Sequence, residues 1–264
     1  MCRYRRSIES TSSPMMINPT YIVIMATAIA LCSLLVRRSQ QKLPLTREEK
    51  FGLGLGGFCG AMIGAKLPFV LYDLEGLWNG VAWFAHGKTI VCGLAGGYLG
   101  VEIAKWLMNI RIKTGDSFAA PVAFAIAIGR WGCFFGGCCF GTPTTLPWGV
   151  AFPTAVDDPL VLRHPTQIYE SLFHLTMGFL LLWLERKGWF RGQLMKLYIL
   201  VYLSYRFLTE MIRPEPRYLV GLTAYQWGAI LLAIIFVWLW RRDAAALAAE
   251  NAQKEPRPAD AAAD

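Results

Sequence analysis

Apolar residues run nearly unbroken through about 18–36, 51–72, 89–108, 118–135, 169–185, 193–211 and 221–240, with polar and charged residues gathered between them. A helix needs roughly 20 such residues to cross a hydrocarbon core about 30 Å thick. The pattern predicts an all-α membrane protein with seven transmembrane helices. The first run does not read as a signal peptide, because no small-residue cleavage site follows it and it passes straight into Arg37-Arg38. Met15 and Met16, just before that run, offer a second start point. Three parts are expected: an N-terminal extension over 1–17, a membrane domain over 18–242, and a charged, Ala-rich tail over 243–264 that continues the last helix and frays.

Composition supports this reading. The 264-residue chain is 55% hydrophobic and 17% charged, against roughly 25% charged in soluble domains. The net charge of +8 does not imply nucleic acid here. The basic residues sit in short segments between apolar runs, where they set topology and meet anionic lipid. Arg37, Arg38, Lys42, Arg47, Lys50, Lys105, Arg111, Lys113, Arg186, Lys187, Arg191, Arg241 and Arg242 fall on one side; fewer, including Arg163, Arg213 and Arg217, fall on the other. The N-terminus is therefore expected outside and the C-terminus inside. Seven cysteines, four of them scattered, form no disulfide framework.

Glycines recur in the second and third runs, "FGLGLGGFCGAMIGAK" and "CGLAGGYLGVEIAK". Small residues about four apart let membrane helices approach closely, so packing is their expected role.

Polar residues at membrane depth carry the functional signal. The longest connection, about 136–168, is rich in Pro and Gly and expected on the outer side, capping a cavity there. Arg130 lies near the outer end of the fourth run. Tyr202, Arg206, Glu210 and Arg213 follow at spacings of four, four and three, on one helical face. His164, Gln167 and Glu170 are expected at the same depth. An internal Arg206–Glu210 pair with Arg213 snorkelling to the surface would explain part of this set without function. Guanidiniums under an irregular outer loop suit a phosphate, which they bind through paired donors. A phospholipid headgroup is the local anion.

Residues 129–141, "GRWGCFFGGCCFG", admit three readings. Cys133, Cys138 and Cys139 match no common zinc-site spacing, and no fourth ligand is evident nearby. A Cys133–Cys138 disulfide suits an oxidising outer face. The third reading is a plain glycine-rich turn closing over a headgroup.

With "PWGVAFP", "RHPTQIYES", "YRFLTEMIR" and "AYQW" in the same order, this stretch resembles the prolipoprotein diacylglyceryl transferase family over about 18–240. The resemblance implies a seven-helix enzyme of the bacterial inner membrane with its active site facing the outer, periplasmic side. It would move diacylglyceryl from phosphatidylglycerol to the thiol of a lipobox cysteine in a preprolipoprotein, without a cofactor or metal. Arg130, Tyr202, Arg206 and Glu210 then fall on family positions expected to act in catalysis. Tyr21, Gly141, Gln167, Tyr169, Glu170 and Arg213 are expected to bind substrate.

The chain also departs from the family. Where the signature reads Gly-Arg-x-Gly-Asn-Phe-x-Asn-Gly-Glu, it carries Cys133, Gly136 and Cys138 at the Asn, Asn and Glu positions. Val91 stands where the third helix of the family has a histidine thought to activate the thiol. His164 is the first candidate for a replacement base and His86 the second. A related transferase with another acceptor, and a lipid-binding protein on the same scaffold, remain as alternatives.

Overall fold

The computed structural model describes residues 19–72, 78, 89–155 and 158–254. The 1–17 extension and His86 lie outside the described residues. Among the described residues seven long helices follow one another: α1 (Pro19–Gln40), α2 (Arg47–Tyr72), α3 (Ile90–Leu107), α4 (Asp116–Phe135), α5 (Thr166–Lys187), α6 (Leu194–Thr209) and α7 (Ala224–Lys254). Each overlaps one of the expected apolar runs. By length and composition, four of them, α1 to α4, are long and apolar enough to cross a membrane. α7 passes without a break through residue 243, because the alanine-rich sequence there keeps a high helix propensity.

The connection from α4 to α5 is irregular, as expected, but holds a small ribbon. In it β1 (Val150–Ala151) pairs antiparallel with β2 (Leu162–Arg163), Val150 opposite Arg163. The Arg163 guanidinium lies 5.2 Å over the Phe140 ring, which stacks on Phe152.

The glycines of α2 and α3 bring two backbones into contact. A Cβ on Gly56 would sit 2.7 Å from the Gly100 carbonyl oxygen, and one on Gly60 would strike the Gly96 carbonyl. This is the close approach that small residues permit. The core lies among α3 to α7, where Ala119, Ala123, Leu181, Tyr198, Ile199 and Tyr202 are almost wholly buried. Ser171 ties α5 to α4 by donating to the Ala127 carbonyl at 2.8 Å.

At the end of α4 far from Arg130, two carboxylates fix the helix ends. Asp116 accepts the backbone N–H groups of Gly192 and Leu194 (2.5 and 2.9 Å), which satisfies donors at the start of α6. Asp243 pairs with Lys113 at 2.6 Å and Lys196 at 3.0 Å. Burial would raise its carboxyl, but hydrogen bonds from Lys113, Lys196 and Arg242 outweigh it and hold the group below the usual carboxylate range.

Candidate active site

The site is assembled where α4, α5 and α6 end beneath the irregular loop. Arg130, five residues before the end of α4, and Glu170, in the first turns of α5, meet with Nη2 and Oε2 2.9 Å apart. Arg213 reaches the same Oε2 at 3.3 Å. The Tyr202 hydroxyl of α6 donates to the other carboxylate oxygen of Glu170. Behind Glu170 lies His174, fully buried, its Nε2 3.9 Å from Oε1 and its Nδ1 2.7 Å from the Tyr198 hydroxyl. Three of the expected residues, Arg130, Tyr202 and Arg213, thus converge on the carboxylate of a fourth, Glu170.

Charge does not balance within this cluster. Two guanidiniums, Arg130 buried and Arg213 partly buried, share one carboxylate, and Nε of both has no hydrogen-bond partner. A buried cation left partly unpaired is costly, so the cluster favours an anion beside it. Glu215 lies two residues past Arg213, where burial and the nearby Glu210 raise its pKa.

Arg206 and Glu210 form a separate pair at 2.7 Å, both buried. α6 gives way to a 3-10 turn at Glu210–Ile212, and Arg213 is already extended. Thr223 donates to Glu210 Oε1 at 3.2 Å, and the Arg206 guanidinium lies 5.0 Å over the Tyr225 ring. Glu210 is therefore placed to orient Arg206, as the spacing suggests.

Four further expected residues, Gly141, His164, Gln167 and Tyr169, build the loop and its edge. The Gln167 amide donates to the Cys138 carbonyl at 2.6 Å, and Thr166 donates to that of Cys139 at 2.6 Å. Gly141 N–H donates to the His164 carbonyl at 2.8 Å. There a Cβ would lie 2.7 Å from the Ile212 oxygen, so only glycine fits. His164 Nδ1 is 3.3 Å from the Tyr169 hydroxyl, which also accepts from the Trp148 indole at 2.8 Å. This trio stands apart from the Glu170 cluster, and His164 does not line the large cavity described next.

A cavity of about 2900 Å³ runs between α1, α2, α3 and α4. Ile22, Ile29, Phe51, Leu55, Phe58 and Met62 give it apolar walls. Arg37, Arg47 and Lys50 lie along it at one end, Tyr21, Arg130 and the three cysteines at the other. Tyr21 packs its ring against Gly132, where a Cβ would be 3.2 Å away. Val91 is buried in the core behind the cavity.

No disulfide joins Cys133 and Cys138, so that reading of the sequence is not met. Both thiols, and that of Cys139, are free. The three sulfurs lie within 4.8 Å of one another. Gly137 (φ +65°) and Cys139 (φ +64°) bend the turn back on itself, which sequence spacing cannot show. His174 and Tyr198 were also missed. Their signal was present: His174 follows Glu170 by four residues and Tyr198 precedes Tyr202 by four, on the same faces.

The family described as prolipoprotein diacylglyceryl transferase matches residues 13–242. The chain is 30% identical over 229 residues to the phosphatidylglycerol–prolipoprotein diacylglyceryl transferase of Clostridium tetani, covering 84% of this chain and 92% of that one. It is 34% identical to the enzyme of the same name from Cupriavidus metallidurans (73% and 76% covered) and to that from Pseudoalteromonas atlantica (81% and 75% covered). No solved structure matches.

Proposed function

The chain belongs to the prolipoprotein diacylglyceryl transferase family and is a transferase; on that premise we propose the reaction and the residue roles that follow. Diacylglyceryl passes from phosphatidylglycerol to the thiol of a lipobox cysteine in a preprolipoprotein, and glycerol phosphate leaves. The observation that carries this reading is the pair of guanidiniums, Arg130 and Arg213, sharing the single carboxylate of Glu170, with Arg130 on the wall of an apolar cavity. A phospholipid matches both parts, with its phosphate on the arginines and its acyl chains along α1 and α2.

In this reading Arg130 and Arg213 hold the donor phosphate, and Glu170 with Tyr202 keeps their side chains in place. Arg206, oriented by Glu210, adds positive charge as the phosphate departs. Gly141, Gln167 and Tyr169 hold the loop that closes over the headgroup, and Tyr21 lines the acceptor side of the cavity. His164, at the loop edge, collects the proton released toward water. All seven helices span the inner membrane, with the loop and the site on the outer face. The Lys and Arg distribution supports that orientation.

The test uses purified protein in detergent with phosphatidylglycerol and a lipobox peptide, following glycerol phosphate. Release that requires the peptide is expected. Equal release without it would sink the thiol-acceptor reading and point to hydrolysis or another acceptor.

A further inference from the structure

Transfer to a thiol requires a thiolate, yet among the described residues no histidine, aspartate or glutamate lines the cavity where Arg130 stands. The titratable side chains on that wall near Arg130 are Tyr21 and the thiols of Cys133, Cys138 and Cys139. A proton acceptor of ordinary kind is therefore missing from the place where the acceptor thiol must be activated.

The three thiols are arranged as ligands. Cys133 sits on the last turn of α4, and the Cys138 N–H returns to its carbonyl at 3.1 Å. Gly137 then turns in the left-handed region with Thr154 against it, where a side chain would collide. Cys139 adopts the same left-handed region, unusual for a residue with a side chain. The carbonyls of Cys138 and Cys139 are both held from α5, by Gln167 and Thr166. This backbone brings three sulfurs within 4.8 Å of one another on the cavity wall. On a tetrahedron with metal–sulfur bonds of about 2.3 Å, sulfurs stand about 3.8 Å apart, so adjustments of about an ångström or less would close the set.

We infer that Cys133, Cys138 and Cys139 form a three-thiolate site for a thiophilic divalent cation of the zinc class, whose fourth position faces the cavity and receives the acceptor thiol. This rests on the transfer reaction proposed above. Three protein ligands and an open position are the pattern of catalytic rather than structural zinc. A thiol that coordinates such an ion is deprotonated outright. Charge supports the site: three thiolates and a divalent ion leave one negative charge, and the Arg130 Nη1 lies 3.7 Å from the Cys133 sulfur.

The balance of the step is simple. The peptide S–H bond breaks as sulfur coordinates, and its proton leaves to water. The sulfur electron pair then attacks the glyceryl carbon that carries the phosphate ester oxygen. A C–S bond forms, the C–O bond breaks, and glycerol phosphate departs with the electron pair beside Arg130 and Arg213. No oxidation or reduction occurs.

The experiment uses the full chain, purified under reducing conditions in detergent, and titrated with Co²⁺ as a spectroscopic stand-in for Zn²⁺. One equivalent should bind with a thiolate-to-cobalt charge-transfer band, absent in Cys133→Ser and Cys139→Ser and retained in Cys59→Ser. Adding a lipobox peptide should shift the band, and a peptide with serine for the lipobox cysteine should not. Chelation should lower peptide-dependent glycerol phosphate release about 100-fold, the low end of what general-base assistance contributes, and Zn²⁺ should restore it. No stoichiometric binding, or turnover unaffected by chelation, would overturn the inference, as would a band indifferent to the peptide. If band and peptide shift are found but no form releases glycerol phosphate, the metal site stands and the transfer reaction is what fails.

Discussion

Glu170 and Arg130 face each other across α5 and α4 at 2.9 Å, each less than a tenth exposed, and Arg213 takes the same carboxylate oxygen at 3.3 Å. One carboxylate thereby holds two cations. The arrangement positions both guanidiniums while leaving them jointly one charge in excess, which is what a site for an anionic donor requires.

Replacing Glu170 with Gln keeps the shape and removes the charge. The buried Arg130 and the partly buried Arg213 would then lose their shared counter-ion, at a cost of about 3 kcal/mol. Thermal unfolding in detergent should shift downward accordingly. Phosphatidylglycerol should recover more stability in the variant than in the natural chain, because its phosphate would supply the missing charge. An equal lipid effect on both proteins would remove the phosphate from this cluster.

Arg206 gives a second, independent test. Its partner Glu210 and the Tyr225 ring hold it beside the first cluster without joining it. Arg206→Ala should lower glycerol phosphate release about 100- to 1000-fold, the scale on which one preorganised charge stabilises a developing anion. Arg206→Lys should recover little of it, since an ammonium cannot both pair with Glu210 and lie flat on the Tyr225 ring. Near-normal turnover in Arg206→Ala would take this residue out of the site.

What could be read from the chain differs between these two clusters for a physical reason. Arg206 and Glu210 are four apart on one helix, so their pairing follows from helical period alone. Glu170 meets Arg130 and Arg213 only through the register of α4, α5 and the extended stretch that follows α6, which no local pattern encodes. The helices themselves were legible, because each lies on a long apolar run. The α2–α3 contact was legible too, through its glycines. The convergence of Cys133, Cys138 and Cys139 was not. It depends on left-handed backbone at Gly137 and Cys139, and a spacing rule assumes a more ordinary path. The β1–β2 ribbon, two residues per strand, is too short to leave a period.

Gly141 tests whether the loop must close tightly. An added Cβ would meet the Ile212 oxygen at 2.7 Å and the His164 Cβ at 2.8 Å, both on rigid neighbours. Gly141→Ala should therefore cost about 2 kcal/mol as overpacking and push the loop off the arginines. Turnover should fall with a raised KM for phosphatidylglycerol. A variant with normal KM and unaltered stability would show that the loop yields freely there.

Asp243 separates stability from chemistry. It lies at the end of the bundle far from Arg130 and is the partner of Lys196, whose side chain is only 3% exposed. Asp243→Asn leaves that ammonium buried without its counter-charge, a loss of about 3 kcal/mol. The folded carboxyl titrates below its unfolded value of about 4, so its contribution is fully present above that pH. It disappears only as pH falls through the lower, folded value. The gap in unfolding temperature between the natural chain and the variant should therefore be constant from pH 6 to 8 and narrow below about pH 4. Glycerol phosphate release at moderate temperature should be nearly unchanged, because no step of the reaction reaches that end of the fold. A gap that closes within the neutral range would show that Lys196, and not Asp243, is the group whose titration governs this end of the bundle.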